Sequence, residues 1–324
     1  MPIATRLTER LGIVHPVISA PMAFAAGGKL AAAVSNAGGL GLIGGGYGDE
    51  EWLGDQFRAA GNAAIGCGFI TWSLQRQLDL LERALEHHPK ALFLSFGDPA
   101  PFAHKIKTTG AMLILQVQSR RDAERAIDVG ADIIVAQGAE AGGHGEKRAT
   151  MTIVPEVADL IAQRAPATLL CAAGGIADGR GLAASLMLGA DGVVVGSRFW
   201  ASTEALVHPN MHAAAVAATG DDTVRQSITD IARGYDWPER YNIRVVRNAY
   251  IDDWAGREAE MRAAGGAERA RYASAAAAGD TAIAAAIAGE ATGLIQAIEP
   301  AAVILDRMIA EAEALLARGA GLAR

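Results

Sequence analysis

The chain has 324 residues, 51% of them hydrophobic and 20% charged, which is apolar enough for a large core and excludes a disordered chain. A formal net charge of −7 leaves no basic footprint, so neither nucleic acid nor an anionic membrane surface is expected as a partner. The first residues lack an apolar signal region, and no stretch reaches the ~20 apolar residues that a membrane span needs, so a cytoplasmic protein is expected.

Short apolar runs bounded by glycine recur along the first two thirds of the chain. They are VISAPM (17–22), GLGLIGG (39–45), AAIGCGFI (63–70), ALFLSFG (91–97), MLILQV (112–117), ADIIVAQG (131–138), TLLCAAGGI (168–176) and DGVVVGSRF (191–199). Each is apolar on both faces, as a strand in a covered parallel sheet must be. Cys67 and Cys171 lie inside two of these runs and read as buried reduced thiols.

Helical patterns lie between the runs. Leu30, Ala33, Val34 and Ala37 share one face of a helix that stops at Gly38-Gly39. Ser119 and Asp122 form a capping pair ahead of Ala123, Ala126, Ile127 and Val129. Asp178 is placed to cap a helix that turns Leu182, Leu186 and Leu188 toward the sheet. Eight strand candidates alternating with helices predict an α/β fold, a (β/α)8 TIM barrel over residues 1–199, with a doubly wound sheet as the alternative.

Residues 200–290 show no clear strand and carry scattered aromatic residues, among them Tyr235, Trp237, Tyr241, Tyr250, Trp254 and Tyr272. They predict a helical cap or substrate domain over the barrel mouth. Its apolar helix faces could support a homodimer. Residues 291–324 contain an amphipathic helix, near 299–317, that returns to the barrel wall.

Barrel active sites sit at the C-terminal ends of the strands. Here those ends hold Pro21-Met22-Ala23, Gly44-Gly45-Gly46, Gly66-Cys67-Gly68, Gln116, Gln137-Gly138, Gly174-Gly175 and Gly196-Ser197. Glycine dominates and carboxylates are scarce, so no metal cluster is expected. Gly174-Gly175 and Gly196-Ser197 each lead into a helix, and their backbone N–H groups, with the Ser197 hydroxyl, can surround a phosphate. A phosphate site below glycine-lined strand ends suits flavin mononucleotide (FMN). A phosphorylated sugar or PLP would use such a site too, although no strand-end lysine is present for PLP. Gln116 and Gln137 could bond one edge of a flat ring, and the Met22 backbone the other. In AQGAEAGGHGE (136–146), His144 is the titratable group suited to proton transfer. The pair His208 and His212 lacks a third ligand, and His15, His87, His88 and His104 carry no signal.

With these residues assembled, the sequence resembles the nitronate monooxygenase family. The resemblance runs from about residue 8 to about residue 310. It rests on APM (20–22), LAAAVSNAGGLGLIGGG (30–46), AQGAEAGGHGE (136–146), AAGGIADGRGLAASLMLGADGVVVGSRF (172–199) and ATGLIQAIEP (291–300). It implies an FMN-dependent barrel that oxidises alkyl nitronates with O2 to a carbonyl compound and nitrite. By the same resemblance, flavin contacts fall on Pro21, Met22, Gln137, Gly142 and Gly143, phosphate contacts on Gly174, Gly175, Gly196 and Ser197, and the family's active-site histidine on His144. Two positions depart from the pattern: Gly68 where many members carry asparagine, and Gln116 where some relatives have a basic or hydroxyl residue. The same motifs occur in FMN-dependent enoyl-ACP reductases and NADH:quinone reductases, which keeps an NAD(P)H-dependent reductase as the alternative reaction. A non-catalytic barrel that binds a phosphorylated ligand is the alternative of a different class.

Overall fold

The computed structural model describes residues 3–322. In chain order its strands begin with β1 (Val17–Ser19), β2 (Leu42–Gly46), β3 (Gly66–Ile70), β4 (Ala91–Ser95), β5 (Met112–Val117) and β6 (Ile133–Gln137). Next comes β7 (Gly143–Gly145), which leaves the barrel, followed by β8 (Leu169–Ala173) and β9 (Gly192–Val195). Eight of these are parallel, in the order β1-β9-β8-β6-β5-β4-β3-β2. Leu40, just ahead of β2, bridges to Ile18 of β1 and closes the ring. All eight runs predicted as barrel strands are strands of the (β/α)8 barrel.

The runs look apolar on both faces because both faces are dry. Ile18, Leu42, Phe93, Ile114, Ile133, Val135, Leu169, Cys171 and Val194 point into the barrel. Their alternates, such as Val17, Ile43, Leu92, Leu113, Ile134, Leu170 and Val193, meet the surrounding helices. Leu7 and Leu11, from the helix Arg6–Leu11, join the interior set beside the start of β9. Both cysteines are free and buried, and burial pushes the Cys67 thiol up to about 12 and raises Cys171 too. Asp178 caps the helix Gly179–Met187 and Ser119 caps Arg120–Asp128, as predicted. The helix Ala301–Leu322 packs on Gly179–Met187 and Gly28–Asn36, burying Ile304, Leu305, Met308 and Ile309.

The segment after residue 199 corrects one expectation. It is largely helical but contains two strands, β10 (Thr223–Gln226) and β11 (Asn242–Val246). These form an antiparallel sheet in the order β10-β11-β7, with Ile243 opposite His144. A second core of Trp200, Met211, Ile228, Ile243, Val245, Tyr250, Met261 and Tyr272 holds this cap together. The alanine-rich stretch 284–288 runs through that core. No helix among the described residues is long and apolar enough to cross a membrane.

Candidate active site

A cleft opens where the strands of the barrel end and the cap begins. The barrel lines it with Ala20, Pro21, Met22, Ala23, Gly46, Tyr47, Gly68, Phe69, Ser95, Phe96, Gln116 and Gln137. From the β6–β7 connection and the cap come Gly142, Gly143, His144, Trp200, Arg233, Ile243 and Ile287.

His144 is the centre of the polar chemistry. Its ring stacks on Trp237 at 3.4 Å and 10°. Nε2 lies 2.9 Å from both carboxylate oxygens of Asp230. A carboxylate only accepts, so Nε2 carries the proton and Nδ1 holds the lone pair. Burial, reinforced by the positive charge of Arg233 and Arg225, pulls the imidazole below its ordinary value against the opposing pull of Asp230. The neutral ring is therefore the resting form, with one nitrogen available as a base. The His144 side chain is only 8% exposed.

Aromatic residues enclose this imidazole. Tyr47, just past β2, stacks on Tyr235 at 3.8 Å and 7° and accepts a hydrogen bond from Trp237 Nε1 at 3.0 Å. Phe96 presents an edge to His144, Trp237 and Tyr241. Its φ of 62° is a strained backbone for a phenylalanine, held in place by those rings.

Pro21, Met22, Ala23, Gly68, Gln116, Gln137, Gly142, Gly143 and His144 thus converge on one cleft, whereas Gly174, Gly175, Gly196 and Ser197 lie outside its lining. Gln137 is more engaged than expected. Its carbonyl oxygen accepts from Gln116 Nε2 at 3.1 Å and Gln118 Nε2 at 2.9 Å, and its Nε2 donates to the His144 carbonyl. The Ser197 hydroxyl accepts from the Gly289 N–H.

The glycines divide by cause. A Cβ on Gly68 would come within 2.5 Å of Pro21, which explains why asparagine is absent there. One on Gly142 would meet Gly289 N at 2.5 Å. Protein packing therefore demands both. Gly196 is different: its φ is −102°, and a Cβ would meet nothing nearer than Ala20 at 3.6 Å. Nothing in the protein requires glycine at that position, and a ligand brought close to the backbone would. The N–H groups of Gly174, Gly175, Gly196 and Ser197 also make no hydrogen bond among the described residues. This is the donor set that a phosphate group needs, so the residues present fit the phosphate of a flavin nucleotide.

Sequence reasoning missed Asp230, Arg233, Trp237 and Tyr47, together with Glu140, whose carboxylate accepts from the N–H and hydroxyl of Thr150 beside the Gly174 turn. Glu140 and Tyr47 were visible as residues adjoining glycine-rich strand ends; the cap residues carried no local signal. His208 and His212 have separate structural tasks: His208 Nδ1 accepts from Asn210 N–H, and His212 Nε2 bonds the Trp200 carbonyl.

Comparison with known proteins places the chain in a family. A family model described as Nitronate monooxygenase matches residues 4–69 and 68–311. A nitronate monooxygenase of Neurospora crassa is 33% identical, over 92% of this chain and 89% of its own length. Nitronate monooxygenase npaC of Metarhizium robertsii is 35% identical, over 93% and 91%. Among solved structures, FabK from Thermotoga maritima superposes with a TM-score of 0.85 at 30% identity, over 99% of each chain. Matched along nearly its whole length, the chain belongs to the nitronate monooxygenase family of flavin-dependent oxidoreductases.

Proposed function

We propose that this protein is an FMN-dependent nitronate monooxygenase, which oxidises a small alkyl nitronate with O2 to a carbonyl compound and nitrite. The observation that carries the reading is the enclosed imidazole of His144, held by Asp230 and stacked on Trp237 at the ends of the barrel strands. The backbone of Gly174, Gly175, Gly196 and Ser197 would hold the phosphate of FMN. Pro21, Met22, Ala23, Gly68, Gln116, Gln137, Gly142 and Gly143 would line its ring. When bound, the flavin supplies the electron acceptor that a barrel of aliphatic side chains, glutamine and glycine lacks.

The protein's own part is proton handling and enclosure. Nδ1 of His144 takes the α-proton of a neutral nitroalkane, and the C–H electron pair moves into the C=N bond of the nitronate. The imidazolium so formed is stabilised by Asp230, which donates no proton itself. A substrate that arrives already as the nitronate needs no base. The ring wall of Tyr47, Phe96, Tyr235 and Trp237 keeps bulk water from the reacting carbon.

The test is a yellow purified protein whose released flavin is identified as FMN, then mixed anaerobically with ethyl nitronate, NADH or NADPH. Bleaching by nitronate alone, with nitrite formed once O2 is admitted, is the expected result. Rapid bleaching by NADH or NADPH would instead favour a reductase, the reading that the likeness to the FabK structure keeps in play. A colourless protein that refuses added FMN would sink both.

A further inference from the structure

The helix Ile228–Arg233 carries a second polar group of the cleft. The guanidinium of Arg233 lies 4.7 Å from the ring centroid of Tyr235 and 5.8 Å from that of Tyr47. These ring faces fix its position. Among the described residues it makes no hydrogen bond and no ion pair. The other enclosed arginines are all satisfied. Arg198 pairs with Glu299 at 2.6 Å, Arg225 donates to the carbonyls of Ala139, Ala141 and Asn242, and Arg244 pairs with Glu290 at 2.8 Å. Of the two carboxylates three residues away, Asp230 gives both oxygens to His144, and Asp236 forms no ion pair with Arg233 among the described residues. Asp230 acts on Arg233 only through space; a charged group enclosed with no hydrogen-bonded partner is costly, and this one faces a cleft.

We propose that Arg233 is the anion-binding residue of the cleft, selecting ligands that present two coplanar oxygens sharing a negative charge. That geometry is common to a nitronate and a carboxylate, and the planar donor fork of arginine matches it in a bidentate fashion. The aromatic faces of Tyr235 and Tyr47 preorganise the fork, so little side-chain freedom is lost on binding. Arg233 thereby sets the preference for charged over neutral substrate, while His144 handles the proton. The identity of the substrate rests on the nitronate reading above; the anion site does not.

The test titrates the flavin-loaded protein with propionate, ethyl nitronate and neutral nitroethane, reading binding by calorimetry and tryptophan fluorescence instead of turnover. Wild type should bind both anions, and Arg233→Met should weaken them by about 10- to 100-fold. Arg233→Lys should recover part of the loss, and nitroethane should bind all three proteins alike. Without ligand, Arg233→Met should melt close to wild type, because no hydrogen bond or ion pair is lost and the methionine side chain can pack on the same ring faces, and that measurement also certifies its fold. Equal anion affinity in wild type and Arg233→Met overturns the proposal, as does failure of wild type to bind either anion. Loss of flavin from Arg233→Met at unchanged anion affinity overturns it also. If propionate binding depends on Arg233 while wild type does not oxidise ethyl nitronate, the anion site stands and the nitronate reading falls. If ethyl nitronate alone depends on Arg233, the site stands with nitronate as its ligand and carboxylates excluded.

Discussion

The barrel and the cap are built from different contacts. The barrel rests on fully buried aliphatic side chains, such as Leu42, Ile43, Leu92, Ile114, Ile134 and Val193. Its alternating faces bury in two separate layers, and each such side chain contributes about 1.5–3 kcal/mol by leaving water. The cap joins the barrel mouth through ring stacks and oriented polar pairs: Tyr47 with Tyr235, Trp237 with His144, and Asp230 with His144. The apolar layers set stability and tolerate variation as long as volume is kept. The cap contacts set which nitrogen of His144 is free and which charge faces the cleft. Stability and reactivity are therefore carried by different regions that meet at one residue.

The largest expected effect tests whether that meeting point is the reactive group. His144→Ala should lower turnover of a neutral nitroalkane by about 10²–10⁴-fold with flavin content unchanged, because the imidazole is supplied from the cap side. Loss of flavin in proportion to activity would return His144 to a structural role. Next comes Asp230→Asn, which leaves the barrel untouched. It should reduce turnover by a smaller factor and, with the raising influence of the carboxylate gone, move the acid limb of the pH–rate profile to lower pH. A wholly structural Asp230 would lower stability and leave that limb in place.

A third comparison sets one glycine against another. Gly142→Ala forces a Cβ to within 2.5 Å of Gly289 N and should cost about 1–3 kcal/mol of stability by overpacking, read as a fall in Tm. Gly196→Ala has room within the protein, so Tm of the flavin-free protein should hold while flavin affinity drops. Equal effects of both substitutions on Tm and on flavin affinity would erase the distinction between packing glycines and ligand glycines.

The smallest effect is on stability against pH. Burial lowers His15, His144 and His212, so below about pH 6.5 the unfolded chain binds more protons than the folded one. Stability conferred by the neutral rings is complete above that value and declines as pH falls toward the folded-state values. Melting temperatures at pH 7.5 and 5.5 should show the decline, and His144→Ala should flatten it in part.

Much of this was legible along the chain. Strand runs apolar on both faces, glycine stops and capping residues are local signals, so eight barrel strands could be found within a few residues of their ends. Pro21, Gln116, Gln137 and His144 could be brought to one site because a barrel collects its strand ends. The strand NIRVV was not read as one, although Ile243 and Val245 alternate with Arg244 at the period of a half-buried strand. Its pairing with Gly143–Gly145 was not legible, because such a register is set by residues about a hundred positions apart.

What the sequence determined by itself was a parallel barrel with glycine-rich turns at its strand ends and one histidine beside them, because each follows from periodicity and local backbone chemistry. Tertiary structure alone decided that Asp230, 86 residues away, would hold Nε2, that Trp237 would lie flat on the ring, and that Arg233 would face the cleft with no hydrogen-bonded partner among the described residues. Direction, tautomer and desolvation are properties of a completed enclosure, and no short stretch of chain encodes them.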